Sequence, residues 1–287
     1  MCLPLRVLDL FCGAGGLSEG FHQAGFEIVR GYDNDLKALE TYNLNHDGVG
    51  QEMDLKTESF DWAQHWSVDV VIGGPPCQPF SVASIYQKVR TLDLSLIDRF
   101  MEIMHVVKPR FWLMENVPGL KKLRPGGEIL NAADFGVPQA RNRYFLSNFT
   151  LPESPNAGKG WRSLNAFPTV LGHDGFRRTE ELHDAFKAMA FPTTTTGSGF
   201  YATQRGRKIV PDGKLIPELA SIVPESLKDD YKVTPKGWLS VTNKFLAWVQ
   251  GFPESYRWSG NRSEVRNQIV NAVPPPLAKA IARAISK

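Results

Sequence analysis

Short apolar runs alternate with amphipathic stretches through roughly the first half of the 287 residues. The first run, Val7-Leu8-Asp9-Leu10-Phe11, stops at a glycine cluster, Gly13-Ala14-Gly15-Gly16. A helical pattern over 17–24 follows, with Gly25 as its stop. A strand pattern over 27–32 runs into Asp33, and 36–42 reads as a helix. The β-branched run 68–72 enters a loop of Gly73, Gly74, Pro75 and Pro76. Ile97, Phe100, Met101 and Met104 share one helical face, and 111–114 then reads as a strand. Strands alternating with helices predict a mostly parallel sheet with helices on both faces.

Periodicity fades after about residue 150. From 151 to 235 the chain is rich in Pro, Gly, Thr and Ser, with scattered basic clusters: Lys159 with Arg162, Arg177-Arg178, and Arg205-Gly206-Arg207-Lys208. This predicts a smaller, loop-rich domain. A helical pattern returns over 276–285, where Leu277, Ile281 and Ile285 share a face and Pro276 suits the first turn.

Composition narrows the class. With 42% hydrophobic residues, 22% charged residues and a net charge of +3, a disordered chain is excluded. No apolar run approaches the roughly 20 residues of a membrane span. The first residues lack the charged and apolar regions of a secretory signal. Cys2, Cys12 and Cys77 are too few for a disulfide framework and lack metal-finger spacing. The expectation is a soluble protein of a reducing, intracellular setting, with no metal. The basic excess is too small to argue for a nucleic-acid partner by itself.

Four segments carry candidate chemistry. The strand–glycine loop–helix over 7–24 has the layout of a nucleotide-type site with Asp33 placed to accept from a ribose, although such loops also merely turn. Its spacing is neither the dinucleotide fingerprint nor a P-loop. In Gly73-Gly74-Pro75-Pro76-Cys77-Gln78-Pro79-Phe80-Ser81, a cysteine follows a strand's carboxyl end. A loop between glycines and prolines is a poor place for burial, which favours a nucleophile over a small buried hydrophobe. Glu115, in Met114-Glu115-Asn116-Val117, ends a strand expected beside the one leading to Cys77. It is either a proton donor with a raised pKa or a strand-end residue turned to water. Arg141 and Arg143, at i and i+2 before Tyr144-Phe145-Leu146, either fork onto an anion or form a solvated pair.

Taken together, DLFCGAGG, PPCQPFS, ENV and QARNR, in that order, resemble the cytosine-5 DNA methyltransferases. The resemblance runs from Leu8 to Arg143 and resumes at Gln250-Gly251-Phe252-Pro253, taking in Gln268-Ile269-Val270-Asn271-Ala272-Val273-Pro274-Pro275. It implies an α/β fold: a Rossmann-like sheet with helices on both faces that binds S-adenosylmethionine, plus a smaller loop-rich target-recognition domain. The catalytic part would be 1–150 and 262–287, and the recognition domain 151–261.

By the same resemblance, Cys77 is the nucleophile, Glu115 the group that engages the cytosine edge, and Arg141 and Arg143 position the ring carbonyl, the backbone and Glu115. Phe11, Cys12, Gly13, Gly15 and Gly16 would wrap the methionine end of S-adenosylmethionine, and Asp33 would hold its ribose. Asn34, Asp54 and Leu55 would flank the adenine. Pro76 and Ala272 join this set, and Asn271, expected at the head of the last helix, would close it. A target cytosine must leave the duplex, and the loop 81–92, with Ser81, Ser84, Lys88 and Arg90, would close over it. Arg205 and Arg207 would contact DNA. The implied setting is a monomeric, cytoplasmic, prokaryotic enzyme at the nucleoid, partnered with duplex DNA and a cognate restriction endonuclease. The alternatives are methylation of transfer RNA and a catalytically weak DNA-binding paralogue.

The chain also departs from the family pattern. The twelve residues 118–129 hold two prolines and three glycines, too few and too broken for a helix and most of a strand. Either the sheet loses an edge element or the segment is abridged. Lys244 and Phe245 stand where the family carries an Arg-Glu pair, Trp248 replaces a usual arginine, and Val270 a usual glycine.

Overall fold

The alternation of side chains along a strand sorts the apolar runs onto two faces of one sheet. In the computed structural model, residues 3–57, 61–65, 67–76, 93–137, 141–153, 223–233 and 238–285 are described, with short strand pieces between 200 and 208. The strands are β1 (Arg6–Leu10), β2 (Glu27–Asp33), β3 (Gly50–Glu52), β4 (Val70–Gly73), β5 (Phe111–Asn116), β6 (Glu128–Asn131) and β7 (Asn142–Ser147). They form a seven-stranded sheet in the order β3-β2-β1-β4-β5-β7-β6. Pairs from β3 through β5 are parallel, while β7 runs antiparallel to both β5 and β6.

Val7, Val70, Ile72 and Leu113 point to one face, where α1 (Gly16–Gln23) and α6 (Pro275–Ile285) cover them. Leu8, Leu10, Val71 and Met114 point to the other, under Ile97, Phe100 and Met104 of α3 (Ser95–Val107). Each side chain fully buried this way contributes about 1.5–3 kcal/mol. The helix α2 (Leu36–Asn45) packs Leu39 and Tyr42 against Cys12. The expected doubly covered, mostly parallel sheet is present.

On α1, Gly16 faces the turn that leads into α6 and Gly20 faces α6 itself, each at a separation that leaves no room for a methyl group. A Cβ at Gly16 would fall 2.3 Å from the Val273 carbonyl oxygen, and one at Gly20 would fall 2.4 Å from Ala278 Cβ.

The shortened segment after Glu115 keeps its strand and gives up its helix. Pro118–Lys122 make one 3-10 turn, and β6 then pairs with β7. Gly127 allows the crossing, because a Cβ there would fall 2.0 Å from the Phe145 carbonyl oxygen.

A second core gathers around α4 (Asn243–Gln250) and α5 (Arg262–Asn271) and takes residues from both sides of position 262. Phe245 is fully buried, and Trp248 packs on it with ring centroids 5.4 Å apart. Val270 is buried in the same cluster, and Lys244 pairs at the surface with Glu254. At these four positions the structure therefore has an apolar cluster and one surface ion pair. Short strands β8 (Phe200–Tyr201), β9 (Thr203–Gln204), β10 (Arg207–Lys208), β11 (Tyr231–Val233) and β12 (Trp238–Val241) lie before α4, and β11, β12 and β8 form a small antiparallel sheet.

One placement differs from expectation. Asn271 is the last residue of α5, not the head of the last helix, which begins at Pro275. Ala272 leaves the helix with ψ 148, and the prolines at 274 and 275 prevent α5 from continuing.

Candidate active site

Strand order reverses direction between β1 and β4, the place where open α/β sheets leave a crevice at their carboxyl ends. The loop leaving β1 holds Phe11 (φ 60), Gly13 (φ 53) and Gly15 (φ 90) in the left-handed region. Phe11 has no glycine freedom there, so its neighbours must fix it. The Cys12 amide donates to the Tyr32 carbonyl at 3.0 Å, and the Gly13 amide donates to Asp33 Oδ2 at 2.7 Å. Asp33 Oδ1 accepts from the Asp35 amide at 2.9 Å. Burial pushes the Asp33 carboxyl up, and these amide hydrogen bonds oppose the shift. A Cβ on Gly13 would meet nothing within 4 Å, so the loop is open there. Asn34 is exposed beside Asp33, while Asp54 and buried Leu55 follow β3 at the adjacent strand end.

Across the switch point, β5 grips the start of the proline loop. The Asn116 side-chain amide donates to the Pro75 carbonyl at 2.9 Å. A Cβ at Gly74 would lie 3.2 Å from Glu115 Oε2, a tight approach that places the carboxyl against the start of this loop. Arg143 Nε sits 3.1 Å from Glu115 Oε1. Burial raises the Glu115 carboxyl, and Arg143 and then Arg141 pull it back. Pro76 is exposed at the end of this stretch, and Cys77 lies outside the described residues.

The family pattern of C-5 cytosine-specific DNA methylases matches residues 5–128 and 196–287. The chain belongs to that family. It is a DNA cytosine-5 methyltransferase. The Type II methyltransferase M1.HphI of Haemophilus parahaemolyticus is 30% identical over 337 aligned positions that take in 100% of this chain and 88% of that one. M.HindV of Haemophilus influenzae is 31% identical, with 98% of this chain and 96% of that one covered. Among solved structures, the S. pombe Dnmt2 methyltransferase shares the fold at a TM-score of 0.59 with 20% identity, covering 98% of each chain. The alignment with M1.HphI, at 337 positions, is longer than the 287 residues of this chain.

Within the methylase, Arg141 is buried, and its Nη2 donates to the carbonyls of Val270 (2.7 Å) and Ala272 (3.2 Å). The Gln250 side-chain amide donates to the Ala272 carbonyl as well. The segment bearing exposed Asn271 is thus tied to the strand that carries Arg143. Of the expected DNA contacts, Ser81, Ser84, Lys88, Arg90 and Arg205 lie outside the described residues, and only the strand backbone is described at Arg207.

Sequence reasoning passed over a buried polar group directly beneath the glycine loop. Asp9 is fully buried, its Oδ2 accepts from Ser18 Oγ at 2.6 Å, and Ser18 Oγ lies 2.8 Å from Tyr42 Oη. Burial raises the Asp9 carboxyl to about 8. A carboxylate inside the apolar run 7–11 was the available signal. Asn116 was visible only as the middle residue of the ENV motif, with no role attached to it.

Among the described residues, no helix is long and apolar enough to cross a membrane, and no group of three His, Cys, Asp or Glu could hold a metal.

Proposed function

We propose that the methylase transfers a methyl group from S-adenosylmethionine to carbon-5 of a cytosine within a short, specific sequence of duplex DNA, as the modification half of a restriction system. The observation that supports this most is the Glu115–Arg143 pair held against Gly74, three residues before Cys77.

The glycine loop suits the methyl donor: it is open over Gly13, and Asp33 and Asp54 stand at neighbouring strand ends. Phe11, Cys12, Gly13, Gly15, Gly16, Asp33, Asn34, Asp54, Leu55, Pro76, Asn271 and Ala272 would hold it. When bound it supplies an electrophilic methyl, which an activated carbon-5 takes. Carbon-5 of cytosine is a poor nucleophile, so the chain's own residues must activate it. The Cys77 thiolate adds to carbon-6 and pushes an electron pair toward carbon-5. Glu115, raised toward its protonated form, hydrogen-bonds nitrogen-3 and the amino edge and offsets the charge that addition creates. Arg143 keeps Glu115 oriented and faces the ring carbonyl. Solvent water takes the carbon-5 proton, the electron pair of that bond re-forms the carbon-5–carbon-6 double bond, and Cys77 leaves as thiolate.

An attack on carbon-6 requires the base outside the stack, at a cost of a few kcal/mol. Residues 151–261 are assigned to target recognition and 1–150 with 262–287 to catalysis, with DNA contacts from Ser81, Ser84, Lys88, Arg90, Arg205 and Arg207. One flipped base needs one monomer, and the reaction belongs in a prokaryotic cytoplasm beside a cognate endonuclease.

Labelled S-adenosylmethionine offered with duplex DNA or with transfer RNA tests this reading. Label is expected in duplex cytosine and absent with Cys77→Ala. Label in transfer RNA alone would make the chain an RNA methyltransferase, and label in neither would make it a DNA-binding paralogue.

A further inference from the structure

Tyr256 stands 242 positions from Ala14 in sequence, yet its buried hydroxyl donates to the Ala14 carbonyl at 2.5 Å. We propose that Tyr256 is a positioning residue that fixes the glycine loop in its cofactor-binding shape, with His46 packed behind it. This rests on reading the loop 11–16 as the S-adenosylmethionine site.

The geometry leaves this contact little freedom. Tyr256 Oη lies 3.4 Å from His46 Nε2. A Cβ at Gly15 would fall 2.6 Å from His46 Nε2 and 2.7 Å from Tyr256 Oη, so both side chains fill space that only glycine leaves open. The Tyr256 ring is wedged by Phe252 and Trp258, with centroids 4.7 and 5.1 Å away. The His46 ring is backed by Tyr42 at 4.6 Å. Neither group can swing off the loop without breaking its own packing.

A loop with three left-handed residues, one of them Phe11, persists only where its surroundings over-determine it. Asp33 holds the Gly13 amide from the β2 side. Tyr256 holds the next residue's carbonyl, and it belongs to the core around α4 and α5 rather than to the sheet. Burial pushes the Tyr256 phenol well up and His46 down to about 4, so at neutral pH the phenol remains a donor and the imidazole is uncharged.

Tyr256→Phe keeps the ring and removes the donor. Calorimetry with S-adenosylhomocysteine, duplex-DNA binding and steady-state kinetics would be compared with wild type. The expected result is a Kd for S-adenosylhomocysteine and a KM for S-adenosylmethionine raised about tenfold, with kcat lowered less than about twofold and DNA affinity retained. Phe252→Leu, which loosens the same aromatic cluster but keeps the hydroxyl, is expected to lower the Tm without weakening cofactor binding. Cofactor affinity unchanged in Tyr256→Phe overturns the proposal. So does a Phe252→Leu variant that weakens cofactor binding as much, since packing alone would then account for the effect. If Asp33→Ala leaves S-adenosylhomocysteine binding intact, the loop is not the cofactor site, and the proposal fails with that reading.

Discussion

Arg143 Nε lies 3.1 Å from Glu115 Oε1, and the two side chains are only 20% and 14% exposed. A buried carboxyl paired this way responds to two opposing influences. Burial favours its protonated form, and the guanidinium favours the ionised one.

Removing Arg143 leaves burial less opposed. In Arg143→Ala the Glu115 carboxyl is expected to titrate higher than in wild type, because the guanidinium that opposes burial is gone. If protonated Glu115 is the active form, the alkaline limb of kcat/KM moves to higher pH while the plateau falls about a hundredfold. Glu115→Gln is expected to lose activity at every pH. Initial rates from pH 6 to 10 check both, and a limb that moves to lower pH contradicts the assignment.

Asp9 makes stability depend on pH. Its carboxyl titrates at about 8 in the fold against 3.8 ordinarily, so the folded chain holds a proton that the unfolded chain releases. Stability is therefore expected to fall as pH rises from about 4 to about 8, and to level off above that. Asp9→Asn removes the titration and flattens this part of the curve. Thermal unfolding of both proteins at pH 5, 6.5 and 8 reads the difference, and parallel curves contradict it.

The packing of α1 on α6 depends on hydrogen atoms in place of methyl groups. Gly20→Ala would put a Cβ 2.4 Å from Ala278 Cβ and 2.6 Å from the Pro275 carbonyl oxygen. Overpacking of this kind costs about 1–3 kcal/mol. The Tm is expected to fall by several degrees, and an unchanged Tm would mean that the two helices separate freely.

If Arg205, Arg207 and Lys208 neutralise phosphates, replacing all three by Gln is expected to weaken DNA binding and lower the slope of log K against log salt by about 0.9 for each phosphate no longer neutralised. Titrations between 50 and 300 mM salt measure this, and an unchanged slope would place the phosphate-binding face elsewhere.

The sheet's central strands were legible because both faces are covered, which leaves short unbroken apolar runs in the sequence. Val7 and Leu8, or Val70 and Val71, lie on opposite faces, as their alternation requires. The outer strands were not. Gly50–Glu52 is short and largely exposed, and Glu128–Asn131 follows a stretch whose prolines and glycines mask it. In α5 the apolar stripe is narrow, and the signal for its start is the capping box of Asn261 with Glu264. Candidate chemistry was legible at Asp33 and Glu115 because each stands at the carboxyl end of a strand, Asp33 last and Glu115 last but one. Tyr256 and Arg141 act across 242 and 129 positions, and no local period announces such pairings.

The central claim is that Cys77 bonds to carbon-6 of a flipped cytosine before carbon-5 releases its proton. A duplex carrying 5-fluorocytosine at the target position tests it, because fluorine cannot depart as a proton does and the last step stalls. With S-adenosylmethionine present, mass spectrometry is expected to find the chain joined to the oligonucleotide with one added methyl, the link mapping to Cys77 and absent in Cys77→Ser. A link to another residue, or methylation of ordinary DNA by Cys77→Ser at the wild-type rate, would contradict it.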